Sequence, residues 1–290
     1  MNKGPAVRPR PALTFSATGP GFDGTSAAMF DLALHGTSAR LTLDRPEARN
    51  AIPLAGWIEL RKRAAEAAER GARLLIVAGA GSAFCAGADL GDFPSMHGDR
   101  EAAARFREAM RHGIEGLASL QIPTVAAIDG PCFGAGVALA MACDLRVAGP
   151  RARFAITPAK YGISYPQEDV ARLVGLVGRG QAARLLLGAG TIDAAEAMRI
   201  GLVDLHAPAG LEPLLADLAA TLTANSAASL AALKRGIALA AGGAATDAEQ
   251  NRSFDALMVG DELAHRLRTL RAEADPAALP EAGGSIRSGS

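Results

Sequence analysis

Apolar and polar residues change their spacing along this chain in a way that divides it near residue 167. Leu32-Ala33-Leu34 and Ala39-Arg40-Leu41-Thr42-Leu43, joined by His35-Gly36-Thr37-Ser38, alternate as the two strands of a half-buried hairpin do. Over 53–70, Leu54, Trp57, Ile58 and Leu60 are interspersed with Arg and Glu as on an amphipathic helix, and Gly71 ends the run. Leu74-Leu75-Ile76-Val77 and the stretch 124–128 are unbroken apolar runs of buried-strand length. Between them the pattern predicts a helix over about 100–120, with Phe106, Met110, Ile114 and Leu117 on one side, after a polar loop at 91–98 placed to act as a lid. Leu145-Arg146-Val147 and Arg153-Phe154-Ala155-Ile156 read as further strands. This alternation predicts an α/β fold with right-handed crossovers and a sheet covered on both faces. Beyond Gln167 the pattern is helical: Asp193 is placed to cap a helix that Gly201 closes, 202–205 is a brief strand, and helices are expected over about 211–223, 227–241 and 247–271.

Two glycine-rich segments directly follow apolar runs. Gly79-Ala80-Gly81-Ser82-Ala83-Phe84-Cys85-Ala86-Gly87-Ala88-Asp89-Leu90 follows the run at 74–77, and Ile128-Asp129-Gly130-Pro131-Cys132-Phe133-Gly134-Ala135-Gly136 leads into a helix-compatible stretch at 137–142. Both read as strand-to-helix corners that expose main-chain N–H groups near a helix start, where unsatisfied donors and the helix dipole favour negative charge. Facing each other, they could hold one developing oxyanion between them.

With Leu43-Asp44-Arg45-Pro46-Glu47-Ala48-Arg49-Asn50-Ala51 upstream, the two corners resemble the crotonase superfamily, the enoyl-CoA hydratase and isomerase group, over residues 36–265. The resemblance implies a ββα-type spiral core with a C-terminal helical region that packs in a homotrimer or a dimer of trimers. With the Gly-, Pro-, Ser- and Ala-rich ends read as a flexible extension (1–28) and a flexible tail (276–290), it leaves an acyl-CoA-binding core (29–200) and a helical region (201–275). It also implies an acyl-CoA thioester as substrate, with coenzyme A part of that substrate and no separate cofactor. The shared step of the family stabilises a thioester enolate with two main-chain N–H groups. Matched motif to motif, these fall on Ala88 and on Ala135, between Gly134 and Gly136. The CoA substrate would be held through Arg45 and Arg49, along Ala86, Gly87, Ala88, Asp89 and Leu90, and at Gly134.

A hydratase of the family uses two glutamates, and here the resemblance breaks. The first position is Ala138; in the second stretch, Phe154-Ala155-Ile156-Thr157-Pro158-Ala159-Lys160-Tyr161-Gly162, Pro158 or Ala159 stands where the other glutamate belongs. Neither side chain can move a proton. Tyr165, three residues after Gly162, resembles the decarboxylating branch of the family, in which a tyrosine orients the leaving carboxylate and no protein base is needed. That branch often carries His where this chain has Ala88. Glu168 and Asp169, at an expected helix start, read either as solvated first-turn partners of the helix dipole or as a displaced base. Lys234 either reaches a CoA phosphate or lies on a solvated face. Three readings stay open: hydratase or isomerase chemistry with a non-standard base, decarboxylation aided by Tyr165, and acyl-CoA binding without turnover.

Composition narrows the partners. The formal net charge is zero over 290 residues, so no global field draws nucleic acid or an anionic membrane surface. No window approaches the ~20 apolar residues of a membrane span, and the cationic stretch 1–11 lacks the apolar core of a signal peptide. Cys85, Cys132 and Cys143 are odd in number and lack zinc-type spacing, which together with the absent signal predicts a cytoplasmic protein. His35, His97, His112, His206 and His265 form no metal motif. Gly130-Pro131-Cys132-Phe133-Gly134 has the spacing of a nucleophile elbow with Cys132 as nucleophile and Asp204 with His206, or His265, as partners, although Pro131 restricts such a turn. A dinucleotide or P-loop reading fails for want of the required glycine and Gly-Lys-Ser/Thr.

Overall fold

Strand β1 (Phe30–His35) pairs antiparallel with β2 (Ser38–Leu43), Phe30 opposite Leu43 and His35 opposite Ser38, so the expected hairpin closes on Gly36-Thr37. The structure, a computed structural model, describes residues 29–274; the expected extension 1–28 and tail 276–290 lie outside them. The chain continues through α1 (Leu54–Glu69), β3 (Leu74–Gly79), α2 (Arg100–Ala118), β4 (Thr124–Ile128), β5 (Pro131–Phe133), α3 (Ala135–Met141), β6 (Leu145–Ala148), β7 (Arg153–Ala155) and α4 (Gln167–Gly188). It ends with β8 (Ile192–Asp193), α5 (Ala194–Arg199), β9 (Leu205–His206), α6 (Leu211–Ala224), α7 (Ala227–Ala241), α8 (Ala248–Met258) and α9 (Asp261–Ala274).

The larger sheet has the order β1-β2-β3-β4-β6-β9 and is parallel from β2 onward; a smaller sheet has the order β5-β7-β8. The unbroken apolar runs are explained by cover on both faces. Leu75, Val77, Ala126 and Ile128 face a core that holds Trp57, Leu60, Phe84, Ile114, Leu117 and Phe154. Leu74, Ile76, Ala78, Val125 and Ala127 face the other way, against Leu215 of α6.

Several elements differ from the pattern's expectation for local reasons. Residues 90–96 form a 3-10 turn rather than a loop, entered through Asp89, whose side chain accepts from the Gly91 N–H at 2.9 Å. The strand expected at 202–205 shrinks to Leu205–His206, because the Leu202 and Val203 N–H groups are taken by the Ala197 carbonyl at the end of α5. The single helix expected over 247–271 breaks between α8 and α9 at Val259-Gly260. No single described helix is long and apolar enough to cross a membrane; α6 and α7 together are, but they meet at 106°.

Candidate functional site

The first corner is tied down by a residue to which the sequence pattern gives no part. Asn50 is fully buried in a left-handed conformation (φ 58°). Its Oδ1 accepts from the Arg45 N–H at 3.0 Å, and its Nδ2 donates to the carbonyls of Ala80 at 2.9 Å and Ala83 at 2.8 Å. The 45–52 segment then runs beside the corner: the Ala86 N–H donates to the Arg49 carbonyl at 2.9 Å, the Ile52 N–H to the Gly87 carbonyl at 2.8 Å, and the Asp89 N–H to the Ile52 carbonyl at 2.9 Å. On its other side the corner joins β5, where the Phe133 N–H donates to the Cys85 carbonyl at 2.9 Å.

These bonds bring the two corners together. Gly87 has φ 108°, and a side-chain carbon there would lie 2.8 Å from the Phe133 carbonyl oxygen and 3.2 Å from the Ala135 nitrogen. Only glycine suits that conformation and that approach. The bridge to Ile52 uses the Gly87 carbonyl and the Asp89 N–H, so the N–H of Ala88 is directed away from it. Helix α3 begins at Ala135, not at Val137 as the pattern suggests, and its first N–H is therefore one of the donors that a helix start leaves without an intrahelical acceptor. Gly134 precedes it with φ 51° and ψ −120°, and its own N–H donates to the Ala155 carbonyl at 2.9 Å.

Tyr165 reaches this second corner. It is half-buried, and its hydroxyl donates to the Gly134 carbonyl at 2.9 Å. Burial pushes its phenol well above the ordinary value, the nearby negative charge of Asp169 adds to this, and the Ala138 N–H opposes it, so the group remains a protonated donor.

Glu168 and Asp169 part company. The Glu168 side chain is 57% exposed and lies 3.7 Å from Arg111, as expected of a solvated first-turn carboxylate. Asp169 is fully buried, which corrects the same expectation for it: Arg111, from α2, donates to Oδ1 at 2.7 Å, and Arg172 stands 3.6 Å away. Glu115 completes the cluster with bonds to Arg111 and Arg172. Asp169 Oδ2 is buried with no partner. Burial raises this carboxyl above its ordinary value despite the opposing pull of Arg111.

At the expected CoA-binding edge, Arg45 donates to Asp89 at 2.9 Å and to the Ala51 carbonyl at 2.8 Å. Burial works against the Asp89 charge, but the Gly91 N–H and Arg45 hold its carboxyl below the usual range. Arg49 is exposed and makes no ion pair among the described residues, while Arg45 takes the weak contact to Glu47 at 3.8 Å. Ala86, Ala88 and Asp89 are half-buried, and Leu90 is exposed. Lys234 neither reaches outward nor lies on a solvated face: its Nζ donates to the Ile122 carbonyl at 3.0 Å and pairs with Asp144 at 2.7 Å. The nucleophile-elbow reading also fails. Cys132 lies fully buried inside β5 rather than at a turn, and burial drives its thiol far above the range in which a thiolate forms. Ala138 is buried in α3, and Pro158 and Ala159 open the 3-10 turn Pro158–Tyr161.

A largely parallel sheet feeding two glycine corners that meet at Gly87 and Ala135, followed by a helical C-terminal part, defines an α/β protein of crotonase type. The chain belongs to the enoyl-CoA hydratase/isomerase family, whose model matches residues 35–266. A Mycobacterium tuberculosis protein named "Probable enoyl-CoA hydratase echA6" is 38% identical over 164 residues, 57% of this chain and 65% of that relative, a match to less than two thirds of its length. The enoyl-CoA isomerase/hydratase fer4 of Mycosarcoma maydis is 32% identical over 212 residues, 69% of this chain and 77% of the relative. Among solved structures, an enoyl-CoA hydratase/carnithine racemase from Magnetospirillum magneticum superposes with a TM-score of 0.81 at 26% identity, covering 86% of this chain and 94% of that one.

Proposed function

We propose that the protein is an enzyme acting on an acyl-CoA thioester, whose carbonyl oxygen sits between the N–H groups of Ala88 and Ala135 as enolate character develops. The observation that carries this reading is the close approach of the two corners, at 3.2 Å from a would-be Gly87 side-chain carbon to the Ala135 nitrogen. Each such donor typically stabilises the transition state by ~2.7–4 kcal/mol. Family membership supports chemistry of the hydratase or isomerase type, with coenzyme A entering as part of the substrate along Arg45, Arg49 and 86–90. The family's two glutamates have no counterpart at Ala138 or at Pro158-Ala159, so the proton moves through another group.

Asp169 is that group in our reading. It is buried, has one oxygen without a partner, and has its carboxyl raised above the ordinary value by burial, which are properties that make a carboxylate useful in proton transfer. Glu168 is solvated and lacks them. Decarboxylation aided by Tyr165 is less well supported, because the Tyr165 proton is already donated to Gly134. A second reading, acyl-CoA binding without turnover, is favoured by the apolar side chains at Ala138 and Pro158. Exposed apolar side chains on α7, α8 and α9 and at the break between the last two, among them Leu233, Ile237, Phe254, Leu270 and Val259, support assembly as a homotrimer or a dimer of trimers, and three buried thiols support a reducing, cytoplasmic setting.

The test is to incubate the pure protein with a panel of enoyl-CoA, β,γ-enoyl-CoA and carboxyacyl-CoA esters and to follow products by chromatography and mass spectrometry. Water addition or double-bond migration is expected, retained in Glu168→Gln and reduced by roughly 10²-fold or more in Asp169→Asn. Loss of carbon dioxide instead would establish the decarboxylase reading. Binding of every ester with no change in any would replace the enzyme by a binding protein.

A further inference from the structure

We infer that Tyr165 is a positioning residue: by donating its hydroxyl to the Gly134 carbonyl it fixes the rotation of the Gly134–Ala135 peptide and so aims the Ala135 N–H. This rests on the reading of Ala88 and Ala135 as the two donors to a thioester carbonyl.

A peptide unit is planar and trans, so its C=O and N–H point in opposite directions. The carbonyl that receives Tyr165 and the N–H of Ala135 belong to one such unit, and whatever holds the first orients the second. Something must hold it, because the unit is flanked by Gly134 at φ 51° and ψ −120°, where the missing side chain leaves the backbone free to rotate. The Val137 N–H also donates to the Gly134 carbonyl, at 3.0 Å, which uses one of that oxygen's two lone pairs. Tyr165 approaches from the segment leading into α4 and supplies the second of the two hydrogen bonds that a carbonyl can accept. Its phenol stays protonated and therefore remains a donor. A donor on the carbonyl also polarises the peptide and strengthens the N–H on its other side. Its effect on substrate is thus exerted wholly through the main chain.

The test reads polarisation of the bound carbonyl and needs no turnover. An acyl-CoA carrying carbon-13 at the thioester carbonyl is bound to the wild type and to Tyr165→Phe, and the labelled stretching band is recorded by isotope-edited infrared difference spectroscopy. The wild type is expected to move the band to lower frequency. Tyr165→Phe is expected to keep the melting temperature and to bind within several-fold of wild type, but with the shift at least halved. Incorporation of 3-fluorotyrosine at position 165, a stronger donor of the same shape, is expected to enlarge the shift. Equal shifts in all three proteins would overturn the role of Tyr165 while leaving the two donors standing. Failure of the wild type to bind the ester or to shift its band would overturn the donors themselves, and this inference with them.

Discussion

Gly87 is the residue at which one atom decides the geometry of the site. A methyl group there meets the Phe133 carbonyl oxygen at 2.8 Å and the Ala135 nitrogen at 3.2 Å, on a backbone with φ 108°. Gly87→Ala is therefore expected to destabilise the fold by about 1–3 kcal/mol through backbone strain alone, and to weaken acyl-CoA binding by parting the corners. Calorimetry and titration with an acyl-CoA check both effects; an unchanged melting temperature would contradict the close approach. The donor positions Ala88 and Ala135 can be proposed from the sequence because their motifs are local, each a glycine corner directly after an apolar run. The parts of Asn50 and Asp169 were not legible in the same way. Asn50 acts on carbonyls 30 and 33 residues away, and Asp169 is paired in the interior with Arg111, 58 residues away. Nothing in the neighbouring sequence distinguishes Asp169 from the solvated Glu168 beside it.

Among the elements, α4 and α5 are joined through one carboxylate. Glu196 of α5 accepts from Arg199 on its own helix at 2.6 Å and from Arg184 of α4 at 2.5 Å. The Arg199 bond foremost, against a smaller opposing effect of burial and with help from Arg184, lowers the Glu196 carboxyl from 4.5 to about 2. A carboxyl depressed in the folded state contributes stability that is present above its unfolded value of 4.5 and is lost as the pH falls toward about 2. Glu196→Gln is accordingly expected to be less stable than wild type at neutral pH, with the two melting-temperature curves converging below pH 4.5. A constant gap down to pH 2 would show that the residue acts by packing rather than by charge. At this scale the apolar pattern found most elements, since strands covered on both faces and helices with one apolar side leave strong local signatures. It placed the start of α3 at Val137 because Gly134-Ala135-Gly136 looks like a turn, and it joined α8 to α9 across Val259-Gly260 because the helical spacing resumes at Asp261.

At the scale of the whole molecule, two features ask for explanation together. The described surface of α7–α9 exposes large apolar side chains, with Ile237 at 71% and Val259 at 85%, while the two glycine corners pack against the core through Phe84, Cys85, Cys132 and Ala135. Burial of such a surface against further copies of the chain is the economical solution, and sedimentation is expected to return a trimer or its multiple. A monomer at micromolar concentration would contradict the proposed assembly. The sheet order could not be read from the sequence, since β3, β4 and β6 are all short and largely apolar and their neighbours are fixed only by packing. The meeting of the corners follows from that order, and the proposed chemistry follows from the meeting. The most direct measurement is a crystal structure of the protein with an unreactive acyl-CoA analogue that retains a carbonyl. Its oxygen is expected within about 3 Å of both the Ala88 and the Ala135 nitrogens, with the Tyr165 hydroxyl on the Gly134 carbonyl. A carbonyl bound elsewhere, or touching only one of the two amides, would contradict the proposed chemistry.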